Sequence, residues 1–116
     1  MTTYEDIIER VKALGIPTAE YEFTDTKQNP APAPPFIAYF ETEAISGPDG
    51  FARIRDVTAT VELYTDRERD PELESKVEAC FHDIDYTKTP AKISEENMFY
   101  VSYEFELKQK IKQKGE

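Results

Sequence analysis

The sequence predicts an α+β domain: a mainly antiparallel sheet of about four strands with two helices packed on one face. Apolar residues recur at helical spacing in two separate segments and at alternating spacing in several others. Consecutive strand-like segments are joined by short, turn-rich connections, which favours hairpins over crossovers. The chain has 116 residues, enough for one core and not for two. Residues 1–108 are therefore taken as one domain, with a proline-rich connector at 28–35 and a basic, flexible tail at 109–116.

The centre of the pattern is Asp56 to Phe81. Val57, Ala59, Val61 and Leu63 alternate as one face of a strand, and Asp70-Pro71-Glu72-Leu73-Glu74 then opens a helix. A carboxylate at the cap, proline at the first helical position and acids in the first turn satisfy free amide donors and suit the positive helix end. Leu73, Val77, Cys80 and Phe81 give this helix its apolar face.

The first helix is predicted from Thr3 to Leu14, with Tyr4, Ile7, Ile8, Val11 and Leu14 on one side. Thr2 with Glu5 forms a candidate capping box, and Gly15 followed by Pro17 forms the stop. Thr18 to Phe23 alternates as a half-solvated strand. Asn29-Pro30-Ala31-Pro32-Ala33-Pro34-Pro35 lacks ladder donors and makes an extended spacer. Phe36 to Glu41 is apolar on both faces, with Ile37 and Tyr39 opposite Phe36, Ala38 and Phe40. That places it centrally or at a subunit contact.

Ser46-Gly47-Pro48-Asp49-Gly50 makes a turn, with Glu43 to Ile45 and Phe51 to Ile54 as the ends of the hairpin. Asp83 to Lys88 is predicted as a brief edge strand broken by Thr89-Pro90. Met98 to Lys108 is the clearest strand. It sets Phe99, Val101, Tyr103, Phe105 and Leu107 against Tyr100, Ser102, Glu104, Glu106 and Lys108.

The formal net charge is −10, and its distribution is uneven. Lys108, Lys110, Lys112 and Lys114 against Glu116 give the C-terminus about +3, leaving the body near −13. So acidic a body repels free nucleic acid over most of its surface, which argues against sequence-specific DNA or RNA binding. No apolar run approaches membrane-spanning length, and the N-terminal residues lack a secretory pattern. A cytoplasmic protein without a membrane partner is expected.

Candidate chemistry is sparse. His82 is the single histidine and stands two residues from the single cysteine, Cys80, a spacing that does not bring them face to face on a helix. His82 is expected to cap helix carbonyls, and Cys80 to be a small buried hydrophobe. No catalytic, metal or cofactor site is predicted. Glu95-Glu96 and Glu72 with Glu74 are expected as solvated faces. Glu104 and Glu106, about 7 Å apart on one strand face, are the pair best placed for a cation or for acid-base work. Tyr64, Tyr100 and Phe40 fall on the outer side of the pattern, as aromatic residues at subunit interfaces do.

Pro35-Phe36-Ile37-Ala38-Tyr39-Phe40, then a turn, Val61-Glu62-Leu63-Tyr64-Thr65-Asp66, the Asp70-Pro71-Glu72-Leu73-Glu74 helix start and Met98-Phe99-Tyr100-Val101-Ser102-Tyr103-Glu104-Phe105 follow one another in a familiar order. From Pro35 to Leu107 this order resembles the tail terminator, or tail completion, proteins of siphophages and prophages. The proline-rich insertion and the lysine tail lie outside the resemblance. It implies a non-enzymatic virion subunit without a cofactor, assembled as a homo-oligomeric ring, usually of six. The ring caps the tail tube and joins it to the head. The partners implied are the tail tube protein and the head-tail connector proteins, with DNA passing through without sequence-specific binding. The locations implied are the host cytoplasm during assembly and then the tail or neck of the virion.

Small neck and head-completion proteins share these expectations and stay open as alternatives. A ring subunit needs two different contact surfaces, for which Phe36, Phe40, Tyr64, Tyr100, Pro32 and Pro34 are the candidates. Two readings from other classes are a small binding module with the proline segment as ligand, and a metal-assisted hydrolase using Glu104 and Glu106.

Overall fold

The computed structural model describes residues 2–23, 27, 31–47 and 53–111, with the side chains of 53 and 109–111 excepted. In chain order the elements are helix α1 (Tyr4–Lys12), strands β1 (Thr18–Glu20), β2 (Phe36–Ser46) and β3 (Arg53–Asp66), helix α2 (Pro71–Ala79), strand β4 (Thr87–Ile93), a 3-10 turn (Ser94–Glu96) and strand β5 (Met98–Ile111). They form a five-stranded sheet, one strand more than expected, in the order β1-β2-β3-β5-β4. Every pairing is antiparallel except β1 with β2.

Each helix starts where its sequence dictates. Thr3 caps α1, its hydroxyl accepting from the Asp6 N–H at 3.1 Å while the Thr3 N–H donates to Asp6 at 2.9 Å. The capping box thus sits one residue later than the Thr2–Glu5 pair predicted, and the Thr2 hydroxyl instead donates to Asp83. Gly15, at φ +80°, turns the chain after α1 in a conformation that side chains disfavour. Asp70 caps α2 as expected, accepting from the Leu73 N–H at 3.1 Å with Pro71 at the first position.

Both helices lie on the face carrying the odd-numbered strand residues. Ile7, Val11, Val77 and Phe81 are buried against Ile37, Val57, Ala59, Val61, Leu63, Val101 and Tyr103. The Phe81 ring sits 5.3 Å from Tyr103 and 5.5 Å from Phe105. Cys80 is buried, as predicted for a small hydrophobe.

The hydrogen bonds fix which backbone groups point where. The Ile37 N–H donates to Pro17 and the Tyr39 carbonyl accepts from Tyr21, so odd residues of β2 direct their backbone toward β1. Alternation then sends the even residues of β2 toward β3 and the odd residues of β3 toward β5. The even residues of β5 face β4. The Arg67 N–H donating to Asn97 at the far end fits the same alternation.

This accounts for a correction. Asp83 to Lys88 is not the edge strand, and Pro90 does not end it: β4 runs from Thr87 to Ile93 with Pro90 opposite Val101. Val101 is odd and turns its backbone to β3, so the missing N–H of Pro90 faces outward from the sheet and no ladder bond is lost.

Two further differences concern β1 and the tail. Tyr21, at φ +66°, bends the chain away, so β1 ends at Glu20 instead of reaching Phe23. The segment after it returns to the start of β2, which makes the β1–β2 pairing parallel. Phe23 and Ala31, two described residues of this return, line the outer face of the sheet. β5 continues through Ile111, so the first residues of the predicted tail are strand. The remaining tail, 112–116, positions 28–30 of the predicted connector, Pro48, Asp49 and Gly50 of the predicted turn, and Phe51 and Ala52 of the predicted hairpin end lie outside the described residues.

β1 pairs with β2 only as far as Tyr39, and β4 with β5 only from Met98 to Glu104. Beyond those points β2, β3 and β5 continue as a three-stranded arm, on which Thr42 to Gly47 are exposed. The molecule measures 51 × 33 × 25 Å.

Candidate interaction surface

The sheet has a second face, and no helix covers it among the described residues. Even-numbered residues occupy it. Register sets Phe36 beside Tyr64 and Tyr64 beside Tyr100, so three strands contribute one ring each to a continuous row. Phe36 and Tyr64 stack with centroids 4.8 Å apart and planes 20° apart; Tyr64 and Tyr100 stack at 5.4 Å and 27°. Phe23 closes the row, meeting Phe36 edge-on at 5.5 Å. Geometry of this kind adds about 0.5–1.5 kcal/mol per pair to the area buried.

The row is partly dry. Phe36, Tyr64 and Tyr100 are half-buried. The Tyr64 hydroxyl donates to Glu62 at 3.0 Å, and burial, with the Glu62 charge next, pushes its pKa well above the ordinary phenol value. Phe40 lies on the same face opposite Thr60 and is half-buried too. Pro32 and Pro34 are half-buried.

Of the six residues singled out from sequence, the structure therefore joins Phe36, Tyr64 and Tyr100 in direct contact. Phe40 shares their face, while Pro34 borders a different, open hollow with Thr65, Asp66 and Arg69. Phe23, which sequence reasoning had placed on a strand, completes the row. A second hollow of about 320 Å³ sits on the aromatic row, lined by Tyr21, Phe23, Phe36, Tyr64, Glu96 and Met98. Tyr21, exposed by 64%, forms its rim.

The other candidates are placed as follows. Glu104 and Glu106 share the outer face, as expected, and with Asp85, Thr58 and Tyr86 line an open hollow of about 300 Å³. Among the described residues no three His, Cys, Asp or Glu side chains are grouped to hold a metal ion. His82 is exposed in the turn after α2. The cap it was expected to supply comes from Arg10, whose guanidinium donates to the Cys80 carbonyl at 3.1 Å and to Asp83 at 2.8 Å.

Glu72 is exposed, but Glu74, its supposed solvated companion, is buried. It is gripped by Arg69 at 2.8 and 3.1 Å and by Lys88 at 2.9 Å. Arg69, and then Lys88, holds its carboxyl below the usual range against the cost of burial.

Where α1 meets the arm, Arg55 joins Glu5 and Glu43. Nearby, one carboxylate oxygen of Glu41 and the buried Tyr4 hydroxyl have no hydrogen-bond partner among the described residues. Burial, and then Glu43, raises the Glu41 pKa.

Comparison with known proteins leaves the surface to be interpreted on its own terms: no family model and no curated protein matches the chain.

Proposed function

We propose that this chain is a structural subunit of a phage or prophage tail. In this reading it is the tail terminator, which caps the tail tube and presents the face that joins the head, acting as a ring of copies. The observation that carries the reading is the outer face, over which no helix lies among the described residues, with Phe36, Tyr64 and Tyr100 stacked across three strands. A sheet that carries half-buried rings on the face away from its helices offers a further layer something to bury, and aromatic residues dominate interface energetics. The order of segments from Pro35 to Leu107 supports the same class.

Two different surfaces are available for ring closure, the aromatic face and the arm, as head-to-tail contacts require. The body's net charge near −13 suits a lumen through which DNA slides without sticking. The tube protein and the connector proteins are the partners this assigns. Deleting the gene from the phage or prophage that carries it is expected to give overlong tails or unjoined heads and tails in electron micrographs. Tails of normal length, normally joined, would remove the proposal.

A further inference from the structure

We infer that copies of this chain join edge to edge along the arm, the free edge of β5 in one copy pairing in parallel with the free edge of β2 in the next. The inference rests on the reading of the protein as a ring subunit and names the junction. Among the described residues, β2 has no strand partner past Tyr39 on its β1 side, and β5 has none past Glu104 on its β4 side, where 82–86 borders Glu106 and Leu107 without a ladder. The backbone alternation derived above turns the N–H and C=O groups of Glu41, Glu43 and Ile45 outward on one edge. It turns those of Glu106, Lys108 and Lys110 outward on the other. Unsatisfied ladder groups of this kind are templates for another strand.

The chemistry of the two edges selects the partner, which is a second copy. The β2 edge carries Glu41 and Glu43, whereas the β5 edge carries Lys108 and Lys110 against Glu106, with Lys112 and Lys114 next in sequence. Pairing the β2 edge with itself would set Glu41 and Glu43 against the same residues of another copy, whereas the mixed junction keeps the glutamates on the helix side and Lys108 on the outer side, so it avoids that repulsion while the unlike charges of the two edges steer their approach.

Direction follows from topology. β2 and β5 are each antiparallel to β3 and so run the same way, and a ring whose axis follows the strands joins them in parallel. Faces are conserved across such a junction. On the helix side Leu107 joins the row of Glu41, Glu43 and Ile45. On the outer side Glu106 and Lys108 join the row of Thr42, Ala44 and Ser46. Among the described side chains no like charges meet, and Ile45, 48% exposed in the single chain, comes to the same side as the apolar Leu107.

The test uses two proline variants of the full chain, Ile45→Pro and Lys108→Pro. Each removes one outward N–H and spares the ladder to β3. Wild type is expected to self-associate in sedimentation, and each variant alone to be monomeric. An equimolar mixture should stop at a one-to-one dimer, because only one competent edge of each kind remains.

Ala44→Lys provides a variant with no backbone cost. It sets a lysine beside those of β5 and should weaken association in a way that added salt relieves. A wild-type chain that stays monomeric at every concentration, variants that associate like wild type, or a mixture that remains monomeric would each overturn the junction. A ring that persists in both proline variants removes the junction and leaves the ring subunit standing. Normal tails after gene deletion remove the subunit reading whatever the edges do.

Discussion

Replacing Glu74 is the sharpest test of how α2 is held to the sheet. Its carboxylate is 3% exposed and takes two hydrogen bonds from Arg69 and an ion pair from Lys88 on β4. Breaking a fully buried pair costs about 3–5 kcal/mol because a charge is stranded. Here the cations left behind are 40% and 31% exposed and can turn to water, so the lower figure for charge-assisted bonds applies, about 2–3 kcal/mol for Glu74→Gln. For a chain of this length that lowers Tm by on the order of 10 °C.

Acid supplies the control. Because the folded pKa of Glu74 is depressed, its contribution is complete above the unfolded carboxylate value of about 4.3 and disappears as pH falls through the lower folded value. Urea denaturation of wild type and variant should therefore differ most near neutrality and converge in acid. A difference below about 0.5 kcal/mol at pH 7, or one that acid leaves unchanged, would refute the reasoning.

Other substitutions probe separate contacts. Asp70→Ala removes the cap of α2 and should cost about 1 kcal/mol in chemical denaturation, with Asp70→Asn restoring most of it. Tyr103→Phe deletes the buried hydroxyl that donates to Glu78 at 2.9 Å, for a loss of about 1 kcal/mol measured the same way. Burial raises the Cys80 thiol pKa, so a thiol reagent should label the native protein far more slowly than the urea-unfolded chain; equal rates would contradict the packing.

Periodicity was a reliable guide where one face met one environment. The apolar stripe of α1 and the alternation of β3 and β5 follow directly from that rule, because each element has helices and core on one side. It failed where tertiary context overrode local chemistry. Pro90 reads as a breaker, yet an outward-facing nitrogen on an edge strand loses nothing, and only the neighbour's register reveals which way it faces. The parallel pairing of β1 was hidden by a hairpin-like spacing, since the positive φ of Tyr21 cannot be read from a tyrosine.

Glu74 was misplaced although a signal existed. Residues 74, 77 and 81 are spaced three and four apart, on the stripe that Val77 and Phe81 bury, but an acid there is conspicuous only once Arg69 and Lys88 converge on it. The outer aromatic row was half legible. Tyr64, Tyr100 and Phe36 were picked out, whereas their stacking depends on a register that no single strand encodes.

The alternation that excuses Pro90 also writes a code into the arm. In a lone molecule the amides of Glu41, Glu43 and Ile45, and of Glu106, Lys108 and Lys110, point away from β3 and meet no partner strand among the described residues, while their neighbours are tied to β3. Deuterium uptake along these two segments should therefore rise and fall with every second residue, and the rhythm would flatten on whichever border another strand came to occupy.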